Sequence, residues 1–219
     1  MASTTEHKRR SCWRILIAGT GGQGALTAAR ILSEFMVEKG HDVVSGQLHG
    51  MSQRAGSVQS SVMIDCGISP AMARGTADCV LGLEPVETAR ALPFMSPRTL
   101  VFTNTSIIVP YVLGQRFARK QGDSGYPDVD GLINRIRALT ARVFPFDATQ
   151  MALQSGSIRA INTVMLGCLF GSGMLPHTAA DFWNAAAGKM APTWIKANFA
   201  AFEGGVERGR QARSFDRAS

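Results

Sequence analysis

From Ile15 to Ala18 the chain is wholly apolar, and the run ends on Gly19. A short, continuous apolar segment closed by glycine is the pattern of a strand buried on both faces, as in a parallel sheet. From Ala25 to Lys39 the period changes. Leu26, Ala29, Leu32 and Phe35 recur on one helical face, Arg30, Glu34 and Glu38 fall elsewhere, and Gly40 stops the run. Residues 42–45 return to strand character, which predicts a strand–helix–strand unit with a right-handed parallel crossover.

The segment from Gln47 to Gly56 has no clean period and holds two glycines among polar residues. Alternation resumes over 57–64 and predicts a strand. Residues 78–83 and 99–104 predict two more, and Glu84-Pro85 opens a helix between them, proline being favoured in a first turn. Residues 114–127 read as a surface loop and 128–139 as a helix. The strand over 142–147 contains Pro145, which places it toward a sheet edge. Beyond it the pattern is helical over 148–154, 157–171, 178–187 and 192–207, with Thr178 as a cap and Pro192 as a start. The whole predicts an α/β fold, a Rossmann-like three-layer sandwich with a mostly parallel sheet and a helical C-terminal part. No internal repeat or linker divides it, so one domain is expected over 14–207.

Composition changes little in this picture, but the location of charge does. With 219 residues and 45% hydrophobic content the chain can bury a substantial core. Of the formal net charge of +7, +3 lies in residues 1–14 and +3 in residues 208–219, leaving +1 for the body. A basic N-terminal extension (1–13) and a basic C-terminal tail (208–219) on a near-neutral domain read as solvated ends. They lack the basic face with interleaved aromatics of a nucleic-acid module, so no nucleic-acid partner is expected. No apolar run approaches the roughly 20 residues of a membrane helix, and no signal-peptide core follows the charged start. Cytoplasmic localisation and no membrane association are expected.

The four cysteines, Cys12, Cys66, Cys79 and Cys168, form no C-x-x-C pair and have no histidine at ligand spacing. A metal or iron–sulfur site built by this chain alone is therefore not expected. Cys79 and Cys168 stand in apolar surroundings and read as reduced core thiols.

Two loops concentrate the chemistry. Gly19, Gly21 and Gly24, with Gly22 and Gln23 between them, sit after a strand and before a helix, the context of an anion-binding turn. A dinucleotide site also needs an acid at the end of the second strand to hold the ribose hydroxyls. That strand ends on Ser45-Gly46-Gln47, and Asp42 comes too early. The second loop carries His49, Gly50, Met51, Gln53 and Arg54, an imidazole, an amide and a guanidinium within six residues. These are candidate contributors to a site at the sheet edge where α/β proteins bind ligands, or a loop stiffened by its own hydrogen bonds. Glu84, Asn104 and Thr105 follow strands and are weaker candidates for the same edge. Asn162 and Met165 read as packing residues on an apolar helix. No complete catalytic grouping is present, so no residue is confidently catalytic.

Together, Gly-Thr-Gly-Gly-Gln-Gly at 19–24 and Leu-His-Gly-Met-Ser-Gln-Arg-Ala-Gly-Ser at 48–57 resemble the gamma domain of 2-oxoacid:ferredoxin oxidoreductases. The likeness is greatest to the small, or beta, subunit of the indolepyruvate-type enzymes. It extends to Val101–Thr105, Phe146–Ala148 and Ile161–Gly167, with Ala55 standing where the family pattern usually has a second glycine. The resemblance implies a heteromer in which a large (alpha) subunit carries thiamine diphosphate, magnesium and iron–sulfur clusters. That subunit would decarboxylate an aryl pyruvate-type 2-oxo acid and pass electrons to ferredoxin, while coenzyme A takes the acyl group. This chain would bind no cofactor alone and would be inactive alone. Its two loops would serve coenzyme A, another anion or the subunit interface, and the isolated chain would self-associate through its uncovered docking face. The alternatives are a stand-alone nucleotide- or dinucleotide-binding protein and a non-catalytic scaffold derived from the family.

Overall fold

The computed structural model describes residues 12–49, 56–107 and 128–218. Six strands form one sheet: β1 (Trp13–Thr20), β2 (Val43–His49), β3 (Ser57–Ile64), β4 (Cys79–Gly82), β5 (Leu100–Asn104) and β6 (Val143–Phe146), in the order β2-β3-β1-β4-β5-β6. The four strands β1, β4, β5 and β6 pair in parallel, and β6 with Pro145 is an edge strand as its proline requires. The crossover from β1 through helix α1 (Ala25–Glu38) reaches a strand of the same direction, but not its neighbour. The eight residues of β3 insert between β1 and β2, antiparallel to both. This matters for function: β3 begins at Ser57 opposite Thr20. The segment from β2 to β3 therefore starts and ends at the same edge as the glycine-rich turn.

Alternate residues of β1 point into two cores. Ile15 and Ile17 join Leu32, Phe35, Leu81, Phe102, Val164 and Phe182 on one face, while Leu16 and Ala18 join Val80, Val101, Ile136 and Val143 on the other. The second face is covered by helices α2 (Pro85–Arg90) and α3 (Val129–Arg137). The first is covered by α1, α4 (Ala148–Gln154), α5 (Ile161–Gly171), α6 (Ala179–Ala187) and α7 (Pro192–Ala218). A 3₁₀ turn, Ile158–Ala160, leads into α5 where the sequence pattern predicts one continuous helix.

Helix α7 runs to Ala218 instead of ending near residue 207, and Ala212 is fully buried. The cause is a crossing with α5 in which glycines face backbone. A Cβ on Gly167, Gly171, Gly205 or Gly209 would strike a carbonyl oxygen of the opposing helix. Side-chain-free surfaces let the two helices approach closely, and that contact supports residues a hydrophobic period misses. None of the helices described is long and apolar enough to cross a membrane.

Candidate functional site

The turn after β1 is built for close backbone approach. Gly22 and Gly24 have φ of 94° and 86°, a region that L side chains rarely enter. Gly24 is the N-cap of α1 and supplies no side-chain cap, and no acidic residue stands in that helix's first turn. Among the described residues no side chain caps the first-turn N–H groups of α1, which suits them to an anionic acceptor, with the positive end of the helix dipole behind them.

Gln23 does not extend toward a ligand. Its Oε1 accepts from the Thr20 N–H at 2.7 Å and its Nε2 donates to the Leu83 carbonyl at 3.1 Å, so the side chain braces the turn against the end of β4. Gly19 makes room for it, because a Cβ there would lie 2.9 Å from Gln23 Oε1. Asn104 has a similar role. Buried at the end of β5, its amide donates to the Leu83 carbonyl and to Thr149 Oγ1, both at 3.0 Å, while its Oδ1 accepts from the Ala148 N–H at 2.9 Å. The Thr105 N–H donates to the Phe146 carbonyl at 3.0 Å. Glu84 caps α2 by accepting from the Glu87 N–H at 2.9 Å. Three of these residues, Gln23, Glu84 and Asn104, form the frame of the edge.

The two loops meet through the backbone. The Gly21 N–H donates to the Gly56 carbonyl at 2.9 Å, tying the glycine-rich turn to the end of the second loop. Beside this joint Ser57 Oγ donates to Glu87 Oε2 at 2.5 Å, and Arg90 donates to Glu87 Oε1 at 2.7 Å. Burial raises the Glu87 carboxyl above the ordinary range, against the lowering effect of Ser57 and Arg90. His49 closes β2 with its backbone opposite Val58, its side chain lying outside the described part. Gly50, Met51, Gln53 and Arg54 lie outside the described residues.

In front of the glycine-rich turn opens a cavity of about 400 Å³, lined by Gly22, Gln23, Gly24, Thr27, Thr149, Ile158, Arg159, Ile161 and Asn162. Among the described residues Arg159 is the one charged side chain on this wall, so this lining favours an anion. Sequence reasoning missed Arg159, Thr27 and Thr149, and placed Asn162 in packing. Asn162 is half-buried against the turn, its Nδ2 3.1 Å from where a Cβ of Gly24 would stand. Met165, by contrast, is fully buried and packs. One signal pointed to Arg159: a cation near a helix N-terminus opposes the helix dipole and needs another reason to be there.

Among the described residues no group of three His, Cys, Asp or Glu side chains is arranged to hold a metal ion. Cys79 and Cys168 are free and buried, with both thiols pushed far up by desolvation.

Residues 14–208 match the family model of pyruvate ferredoxin/flavodoxin oxidoreductase. The chain belongs to this family. Relatives include indolepyruvate oxidoreductase subunit IorB of Archaeoglobus fulgidus, 38% identical over 162 residues, 74% of this chain and 78% of that one. The IorB subunit of Thermococcus kodakarensis is 33% identical over 201 residues, covering 91% and 96%. In fold the chain is similar to the gamma subunit of a keto/oxoacid ferredoxin oxidoreductase from Geobacter sulfurreducens, with a TM-score of 0.64, 18% identity and coverage of 91% and 99%. It is also similar to part of the 2-oxoglutarate:ferredoxin oxidoreductase of Magnetococcus marinus, solved with 2-oxoglutarate, coenzyme A and succinyl-CoA bound. There the TM-score is 0.66 and the identity 18%, over 92% of this chain and 32% of that one. Membership of the oxidoreductase family and the α/β fold expected from the two loops both hold.

Proposed function

We propose that this chain is the small subunit of a heteromeric indolepyruvate-type 2-oxoacid:ferredoxin oxidoreductase, and that its glycine-rich turn presents an anion-binding cavity to coenzyme A at the subunit boundary. The single observation that carries the reading is the start of α1, without a side-chain cap, facing a cavity whose one charged side chain among the described residues is Arg159. Coenzyme A is polyanionic, and phosphate oxygens suit both helix N–H groups and a guanidinium. Thr27, Thr149 and Asn162 add neutral polar contacts. The Gly21–Gly56 bond ties the turn to the residue that ends the second loop, and His49, Gln53 and Arg54 of that loop would meet substrate, coenzyme A or the large subunit.

On this reading the redox chemistry resides on the partner: thiamine diphosphate, magnesium and iron–sulfur clusters on the large subunit would supply decarboxylation and electron transfer to ferredoxin. The contribution of this chain is positional. The Gln23 and Asn104 braces hold the turn in place, so the start of α1 needs no reorganisation when the anion arrives. The complex is cytoplasmic, and the isolated chain is inactive.

Reconstitution tests this. The purified large subunit is assayed for 2-oxo acid- and coenzyme A-dependent dye reduction with and without this chain, using indolepyruvate, phenylpyruvate and pyruvate. Activity that requires the chain and prefers the aryl substrates is expected. Equal activity without it would sink the proposal.

A further inference from the structure

At the opposite edge of the sheet, where the strands begin, Cys12 and Cys66 are joined by a disulfide with a Cα–Cα distance of 4.8 Å. The bond links the start of β1 to the turn that follows β3. Both residues are only partly buried, unlike Cys79 and Cys168. The thiol state is also accommodated. Cys66 Sγ lies 3.3 Å from the Trp13 carbonyl and 3.2 Å from the Ile64 carbonyl, so a reduced Cys66 would have acceptors at hand. Neither redox state therefore leaves this end of the sheet unsatisfied. The β1–β3 ladder, which pairs Trp13 with Ile64, holds the two strands together whether or not the sulfurs are bonded.

A cavity of about 580 Å³ opens directly beside Cys12, and among the described residues its wall carries Arg14, Arg98 and Arg142 against one carboxylate, Asp78. Arg14 approaches Asp78 at 3.6 Å, and Arg142 donates to the Arg98 carbonyl at 2.6 Å. Guanidinium groups lining the cavity that Cys12 borders attract an anionic reagent and favour a thiolate formed there, the form that exchanges.

We infer that Cys12–Cys66 is a reversible redox site, opened and closed through this basic cavity by anionic low-molecular-weight thiols and their disulfides. In opening, the thiolate of a small thiol attacks one sulfur and forms a mixed disulfide, releasing one protein thiolate. A second small thiolate attacks the mixed disulfide, releasing the small disulfide and the second protein thiolate. Two electrons pass from two small thiols to the protein disulfide, and the reverse sequence returns them. In a reducing compartment, disulfides are characteristically exchanging ones. The inference is independent of the coenzyme A reading.

The full chain is equilibrated with mixtures of reduced and oxidised glutathione, quenched, denatured, alkylated with iodoacetamide and weighed intact. Four labels mark the open form and two the closed form, Cys79 and Cys168 being labelled in both. A reversible transition between two and four labels is expected, absent from Cys66→Ser. The opening rate is then compared for glutathione, which is anionic, and cysteamine, which is cationic. The double variant Arg98→Ala/Arg142→Ala should slow glutathione roughly threefold relative to cysteamine. Two labels at every ratio, four labels at every ratio, or an unchanged relative rate would each overturn the inference.

Discussion

Arg159 stands in the Ile158–Ala160 turn, at a helix start where a cation gains nothing from the helix it precedes. Its placement on the cavity wall beside Gly22 and Gly24 supplies the missing reason. A charge-assisted hydrogen bond to a phosphate contributes about 1.5–3 kcal/mol, so Arg159→Ala should raise KM for coenzyme A in the reconstituted complex roughly tenfold to a hundredfold. Steady-state kinetics at varied coenzyme A check this. The KM for the 2-oxo acid should be unaffected, and Arg159→Lys should keep part of the affinity but lose the bidentate geometry. At this scale the backbone glycines were legible in the sequence, because a turn between strand and helix needs them. The direction of the polar side chains was not. Gln23 and Asn104 look like ligands in one dimension. In three they are consumed by the Leu83 carbonyl, which lies some 60 residues from one and 21 from the other. Arg159 enters the site only because the chain returns to it after β6 and α4.

Elements were legible wherever a single period ruled. The strands β1, β3 and β5 and the helices α1 and α4 stand where apolar spacing puts them. What the period could not show is that β3 inserts between β1 and β2, since pairing is decided by partners and not by the strand's own pattern. Nor could it show the true length of α7, which rests on glycine and backbone contacts with α5 that carry no hydrophobic signature. Two glycine substitutions separate these effects. Gly205→Ala places a methyl group against the Val164 carbonyl and should cost about 1–3 kcal/mol, lowering Tm by about 2–4 °C per kcal/mol. Gly188→Ala, at the end of α6 with φ of −61° and only ordinary contacts, should be neutral or stabilising by about 0.4–1 kcal/mol. Differential scanning calorimetry of the two variants checks both. Equal losses would mean that the α5–α7 crossing is not the tight contact described.

A second element-scale device joins the turn before β2 to the loop before α6. The His41 Nδ1 lies 2.7 Å from Asp65 Oδ2, and the Nε2 atoms of His41 and His177 are 2.9 Å apart. The Nδ1 of His41 thus faces the Asp65 carboxyl group and its Nε2 faces His177. Desolvation first, then His41 and Lys39, hold the His177 pKa below its ordinary value of 6.5, with Asp181 opposing. The unfolded chain then binds a proton that the folded chain does not, over the interval just below 6.5. Stability contributed by neutral His177 is present above that pH and is lost as pH falls through the interval. Urea unfolding at pH 7.5 and at steps down to pH 5 should show a falling midpoint with a shallower slope in His177→Gln. A parallel slope in the variant would exclude His177 as the source.

At the scale of the whole molecule, some of the exposed apolar surface lies at the edge that carries the site. Leu26 in the first turn of α1, Ile107 after β5 and Ile158 on the cavity wall are 46%, 37% and 52% exposed. Single exposed hydrophobics need no explanation, but these three stand at the end of the sheet that carries the glycine-rich turn, with Ile158 on the cavity wall itself, and apolar side chains beside a polar lining suit an interface core. If the large subunit closes over coenzyme A here, these side chains leave water when the complex forms and remain sticky when it does not. The isolated chain should then self-associate with rising concentration in light scattering, and equimolar large subunit should replace that species with a heteromer. Ile158→Glu should suppress both, weakening co-purification while leaving Tm within about 1 °C, because an exposed side chain contributes little to the fold. Arg159→Ala, by contrast, should impair coenzyme A use and spare assembly. A variant pair that separates assembly from coenzyme A affinity in this way would assign rim and centre to different tasks. Loss of both functions in both variants would mean that the cavity is only a subunit contact.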